Sequence, residues 1–161
     1  MQIDIIKADL DQPAHASALF EVLNAYASDA MGGGKPLPDF VRDNLATELK
    51  KRPTAHVFLA FDGERAAGLA TCIEGFSTFA CKPLLNIHDL AVMPQYRGQG
   101  IARRLIARVE DEARALGCCK VTLEVLEGNA VARKLYRACG FEGYELNPET
   151  GKAMFMHKQL G

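Results

Sequence analysis

The sequence lacks tryptophan, any C-x-x-C pair, any long apolar run and any appreciable net charge. Each absence excludes something. Lys+Arg is 19 and Asp+Glu is 20, a formal net charge of −1, so no overall electrostatic grip on nucleic acid or an anionic membrane is expected, which leaves only a local basic patch open. No apolar stretch approaches the ~20 residues of a membrane-spanning helix. Met1–Pro13 lacks the basic-then-apolar order of a secretory leader, and the expected location is cytoplasmic. The 5 cysteines (Cys72, Cys81, Cys118, Cys119 and Cys139) are odd in number, and with no Cys/His cluster at zinc spacing they read as reduced, mostly buried thiols; no metal is expected. What is present is ordinary for a globular chain: 161 residues, 48% hydrophobic and 24% charged, which argues one domain over residues 1–161 with a core of its own.

Periodicity sets out the elements. Gln2–Ala8 reads as a strand and Pro13–Ser28 as a helix with Asp11 as its cap. The glycines of Met31–Leu37 break the chain before a second helix over Pro38–Lys51, with Phe40, Val41, Leu45 and Leu49 on one face. Val57–Phe61 and Ala66–Ile73 flank Asp62-Gly63 as a hairpin, and Leu84–Val92 is a fourth strand. Ile101–Leu116 is strongly amphipathic and stops at Gly117; Lys120–Leu126 reads as a strand and Asn129–Cys139 as a short helix stopped by Gly140. Tyr144–Leu146 and Met154–Lys158 close the chain as strands around Pro148–Gly151. The order β-α-α-β-β-β-α-β-α-β-β predicts a mixed α/β (α+β) layer fold: a central mixed, twisted sheet of about 6–7 strands with helices on both faces. Leu84–Leu126 forms one strand–helix–strand crossover, so its two strands should be parallel neighbours.

The chemistry concentrates after the fourth strand. Pro94 stops that strand, Gly98 and Gly100 bracket a tight turn, and a helix begins at Ile101. Such glycines let successive backbone N–H groups point into one concavity, and the helix adds about +0.5 of a charge there, which suits a phosphate or pyrophosphate. Arg97, Arg103 and Arg104 add positive charge nearby. No G-x-x-x-x-G-K-[ST] string occurs, and a dinucleotide fingerprint fails because Arg103 stands where a third glycine is required.

Arg97-Gly-Gln-Gly-Ile-Ala102 resembles the R/Q-x-x-G-x-G/A loop of the GNAT superfamily of acetyl-CoA-dependent N-acetyltransferases. Asn129-Ala-Val-Ala-Arg-Lys-Leu-Tyr-Arg-Ala-Cys-Gly-Phe141 is similar to that superfamily's second signature, N-x-x-A-x-x-L/F-Y-x-x-x-G-F. The resemblance is sharp over Leu84–Phe141. Around it, Pro83-Leu-Leu-Asn-Ile-His-Asp-Leu-Ala-Val92 followed by Tyr96-Arg-Gly-Gln-Gly100 is similar to the diamine and polyamine acetyltransferase branch, which usually has Glu-Asp where this chain has His88-Asp89. The resemblance implies the GNAT fold, acetyl-CoA as co-substrate, a primary-amine acceptor on a small molecule or peptide, and direct attack in a ternary complex. It leaves a homodimer open. It implies that a bulged fourth strand contacts the acetyl carbonyl and pantetheine through Leu90, Ala91 and Val92, in the gap where the strands flanking the crossover helix splay apart. By the same resemblance the backbone from Gly98 through Gln99, Gly100, Ile101 and Ala102 to Arg103 cradles the pyrophosphate, Asn129 bonds the cofactor arm, and Tyr136 sits beside the thioester sulfur as general acid. The alternative is a GNAT-fold module that holds or senses acyl-CoA without turnover.

The reaction makes demands on the residues. An alkyl amine has a pKa near 10.4, so presenting its neutral form at pH 7 costs roughly 4–5 kcal/mol unless the site takes the proton. The thioester carbonyl must also be polarised and the leaving thiolate protonated. His88 is the candidate base, since an ordinary imidazole pKa of about 6.5 suits the task. In a regular strand it shares a face with Asn86 and Leu90, and Asp89 points the other way. A histidine merely hydrogen-bonded in the sheet is an equal reading, with Asp89, Glu124 and water as alternative bases. Glu127 is placed to steer a cationic substrate. Tyr26, Phe76 and Phe79 read as core or pocket wall, and His15, His56 and His157 as surface or sheet-end residues.

Overall fold

Continuous runs of buried small and apolar residues build the two central strands, and the computed structural model, which describes residues 1–161, shows five strands in the order β1-β2-β3-β4-β5. They are β1 (Ile3–Lys7), β2 (Ala55–Asp62), β3 (Arg65–Ser77), β4 (Lys82–Val92) and β5 (Val121–Leu123). The helices are α1 (Pro13–Ser28), α2 (Asp39–Lys50), α3 (Ile101–Ala115) and α4 (Ala130–Ala138), with 3₁₀ turns at Ala30–Gly32 and Pro94–Tyr96. β1 through β4 pair antiparallel, and β4 and β5 pair parallel across α3, as the crossover requires. The chain forms two compact units, Met1–Leu123 and Glu124–Gly161.

In the first unit, register sorts the side chains onto two faces. Leu59 opposes Leu69, which opposes Ala91, and these pack with Val57 against Ala18, Leu19 and Val22 of α1. Half-buried Leu45, Ala46 and Leu49 of α2 close that layer. Gly68 belongs to the other face: a Cβ there would lie 3.1 Å from Leu105 Cδ1 and 3.2 Å from Ile101 Cγ2 of α3. The i, i+4, i+5 and i+8 apolar stripe of α3, Ile101, Leu105, Ile106 and Val109, is fully buried, each such side chain contributing ~1.5–3 kcal/mol. The sheet therefore carries helices on both faces.

Several expectations require correction. The sheet has five strands, because Tyr144–Leu146 and Met154–Lys158 are not strands: the second unit's only ladder contact is an isolated Glu145–Lys152 bridge. Gly143 and Asn147-Pro148 confine the first segment to three residues, too few to build a ladder alone, and Leu146, Met154, Phe155 and Met156 stay exposed. β5 ends at Leu123, leaving Glu124–Leu126 outside it. Gln12, not Asp11, precedes α1, and Asp11 instead pairs with Lys50. Phe40, Phe76 and Phe79 are exposed, the last at 88%; the β3–β4 hairpin carries Phe76 and Phe79 near its tip, away from the core. His56 is buried, its Nε2 2.8 Å from Glu74 Oε2. All five cysteines are free, and only Cys72 is fully buried. No helix is long and apolar enough to cross a membrane.

Candidate functional site

β4 is the strand on which the site is built, and its pairing changes partway along. Leu85, Asn86 and Ile87 pair with Val121, Thr122 and Leu123; beyond Ile87 no strand accompanies β4 on that edge. Leu90, Ala91 and Val92 thus keep β3 on one side and an unpaired edge on the other. Unpaired strand-edge N–H and C=O groups are an obligatory hydrogen-bonding surface for something other than the sheet.

The irregularity in β4 lies at His88, two residues before the expected Leu90. Cys72 opposes Ile87 and Thr71 opposes Asp89, so His88 is one extra residue in the ladder. The bulge resets the alternation. Asn86 opposes Ile73 and Asp89 opposes Thr71, two residues apart on β3 and hence on one face. His88 Nδ1 is hydrogen-bonded to Asn86 Oδ1 and so reaches the same side. Asp89 therefore shares a face with Asn86 and His88, and Leu90, opposite Ala70, does not; both differ from the regular-strand expectation. The half-buried Asp89 carboxylate accepts a bond from the Thr71 hydroxyl. Burial, with the Asp89 and Asp29 carboxylates nearby, pushes the Tyr26 phenol above its usual range.

After Val92 the chain turns under tight control. Met93 N–H donates to Ala67 O at 2.9 Å, and buried Tyr96 donates its hydroxyl to Asp62 Oδ2 at 3.1 Å. Gly98 and Gly100 follow at φ 75° and 77°, left-handed conformations that favour glycine, with open space where a Cβ would stand. No side chain caps α3, and its first i→i−4 bond is Arg104 N–H to Gly100 O at 3.1 Å. The N–H groups of Ile101, Ala102 and Arg103 thus lack intrahelical partners at the positive end of the helix. An uncapped helix start behind two open glycines fits a pyrophosphate, whose oxygens can approach the backbone with no side chain in the way.

The arginines divide. Arg103 is exposed without an ion pair. Arg104 donates to Ile3 O of β1 at 2.7 Å, so its charge is directed away from the expected anion site. Arg97 donates Nε–H to Val92 O at 3.2 Å and Nη2–H to Asp29 Oδ2 at 3.3 Å, tying the loop to the end of α1. Asp29 also accepts from Met31 N–H, and these two contacts hold its carboxyl below the usual range.

The second unit contains Asn129 and Tyr136. Asn129 caps α4, its Oδ1 accepting from Ala132 N–H at 3.2 Å, which leaves its amide hydrogens available to donate. Tyr136 is half-buried and stacks edge-on against Phe141 at 5.9 Å. The roles of Asn86, Thr122 and Asp29 were not evident from sequence. Asn86 alone left a signal, standing two residues from His88 in a strand.

Comparison with known proteins agrees with this architecture. The acetyltransferase (GNAT) family model matches residues 19–141. A thialysine N-epsilon-acetyltransferase of Caenorhabditis elegans is 34% identical over 96 residues, 58% of this chain and 59% of that protein. The chain spans less than two thirds of the length of the first curated relatives it matches. Among solved structures, a probable acetyltransferase has a TM-score of 0.81 at 21% identity, covering 98% of this chain and 99% of its own. An aminoglycoside N-acetyltransferase in complex with CoA has a TM-score of 0.76 at 21% identity, covering 99% and 96%. At that identity the likeness is one of fold. Carried by a match across most of its length, the chain is a member of the GNAT acetyltransferase family.

Proposed function

We propose that the protein transfers the acetyl group of acetyl-CoA to a primary amine on a small molecule or peptide, by direct attack in a ternary complex. The observation that carries this reading is the course of β4: a strand that loses its neighbour after Ile87 and runs on into an uncapped helix start behind Gly98 and Gly100. In this reading the free edge at Leu90, Ala91 and Val92 offers backbone hydrogen bonds to the thioester carbonyl and the pantetheine arm. The backbone of Gly98, Gln99, Gly100, Ile101, Ala102 and Arg103 holds the pyrophosphate, with Arg97 bracing the loop. Acetyl-CoA supplies the activated acyl group as a thioester.

His88, exposed at the bulge, takes the proton that the attacking ammonium must lose. Donors held at the carbonyl oxygen stabilise the charge that develops there, a contribution that preorganised backbone N–H groups make at no reorganisation cost. Asn129 donates its free amide hydrogens to the cofactor arm, and Tyr136 protonates the departing thiolate. The relatives named for thialysine and aminoglycoside substrates support a small cationic amine as acceptor.

The test is a screen of polyamines, amino acids, aminoglycosides and N-terminal peptides with acetyl-CoA, reading free thiol. Turnover with a subset of amines is expected. Tight CoA binding with no thiol release from any amine would make the chain an acyl-CoA-binding module instead.

A further inference from the structure

The reading of His88 as base leaves open how an exposed imidazole on a bulge comes to present the correct nitrogen. A neutral imidazole carries its proton on one nitrogen and its basic lone pair on the other, and the bond made by the first decides which is free. Asn86 makes that bond, since its Oδ1 meets His88 Nδ1. The other end of the Asn86 amide is committed as well: Nδ2 donates to Thr122 Oγ1 at 2.9 Å. Asn86 and Thr122 are directly opposed in the parallel β4–β5 ladder, on the middle of its three rungs. With Nδ2 turned to Thr122, only the carbonyl oxygen faces the histidine. Oδ1 cannot donate, so Nδ1 carries the hydrogen and the lone pair lies on Nε2.

We propose that Asn86, held by Thr122, is a positioning residue that fixes His88 in the Nδ1–H tautomer with Nε2 free to accept the proton of the acceptor amine. Asn86 touches neither substrate; it acts through His88. The arrangement assigns work to the short ladder of β4 with β5. The middle rung, one before β4 goes on alone, is the one that orients the base. A β-branched threonine, stiff about χ1, suits the anchoring end. Three side chains, Thr122, Asn86 and His88, thus form one relay from a paired strand to the reacting position.

This rests on His88 being the base, and the experiment separates the two. The full-length protein, labelled with ¹⁵N-histidine, is examined by long-range ¹H–¹⁵N NMR at a pH where His88 is neutral, as wild type and as Asn86→Ala, Asn86→Asp and Thr122→Val. Wild-type His88 should show a protonated Nδ1. In Asn86→Ala the signal should move toward the Nε2–H form, and kcat/KM with the best amine of the screen should fall by about tenfold or more, a part of the ~10²–10⁴ that a general base supplies. CoA affinity by calorimetry should stay within about twofold, since the relay lies outside the phosphate loop. Asn86→Asp supplies a carboxylate that accepts the same Nδ1–H bond, so it should restore both tautomer and rate. Thr122→Val should fall between wild type and Asn86→Ala. A wild-type His88 protonated on Nε2, or an Asn86→Ala variant with unchanged tautomer and rate, would overturn the positioning role. His88→Ala turning over at the wild-type rate would overturn the base reading instead, whatever tautomer the wild type shows.

Discussion

At His88 one inserted residue changes which groups can meet. In an uninterrupted strand Asp89 would face away from Asn86 and His88; the bulge brings all three to one side, with Thr71 bonded to the Asp89 carboxylate. His88→Ala should lower kcat/KM by ~10²–10⁴-fold if the imidazole is the base, with CoA affinity unchanged. A rate within a fewfold of wild type would transfer the role to Asp89, Glu124 or water. Tyr136 is tested in the same spirit. Tyr136→Phe keeps the edge-on contact with Phe141 and deletes only the hydroxyl. A general acid lost in this way should cost kcat ~10²–10⁴-fold with CoA binding intact, whereas a tyrosine that only packs predicts near-normal turnover. The measurement needs an amine for which chemistry, not product release, limits the rate.

In the proposed function, cofactor binding depends on the turn from β4 into α3. Its shape comes from Met93, Tyr96 and Arg97, which bond to β3, to the end of β2 and to Asp29, and from two glycines at positive φ. Gly100→Asp adds a carboxylate where a pyrophosphate would lie and strains a left-handed residue by ~1–2 kcal/mol. Calorimetry should show CoA affinity falling steeply while circular dichroism remains that of the wild type. Unchanged affinity in the folded variant would remove this loop from the site. Gly68 answers to a different constraint. Its φ is not positive, but a Cβ there would crowd Ala91 O at 3.1 Å as well as Leu105 and Ile101. Gly68→Val should therefore destabilise the protein by about 1–3 kcal/mol, as overpacking does, read as a lower denaturant midpoint with an unchanged m-value. A midpoint equal to wild type would show that α3 can lift from the sheet at no cost.

Over the whole molecule, burial decides reactivity as well as stability. Burial pushes the Cys72 thiol up to about 12, with the Asp89 and Glu112 carboxylates adding to the shift, so it stays protonated at neutral pH and shielded. Cys81 and Cys119 are exposed, and Cys118 and Cys139 half-buried. A thiol reagent at neutral pH should modify Cys81 and Cys119 first and reach Cys72 only on unfolding, as peptide mapping would show. Early modification of Cys72 would contradict its place in the core between sheet and α3. Cysteine content indicated free thiols; which of them lie inside depends on strand register and helix placement, which composition does not encode.

The sequence by itself determined the helices with continuous apolar stripes, the hairpin around Gly63, the parallel crossover and the glycine turn, because each is written in a local period or a residue with unusual backbone freedom. It pointed to the family as well, through two strings, Arg97–Ala102 and Asn129–Phe141, that resemble the family's signatures. Tertiary structure decided the rest. The bulge at His88 arises from pairing with β3, and the early end of the β5 ladder from where that strand leaves β4. The bond from Asn86 to Thr122 joins residues 36 positions apart. Arg104 turned to β1 and Arg97 to Asp29 because carbonyls and carboxylates from distant segments were brought within reach. Local pattern specifies which elements form; only their packing fixes which side chains meet, because a contact between distant residues has no signature in either neighbourhood.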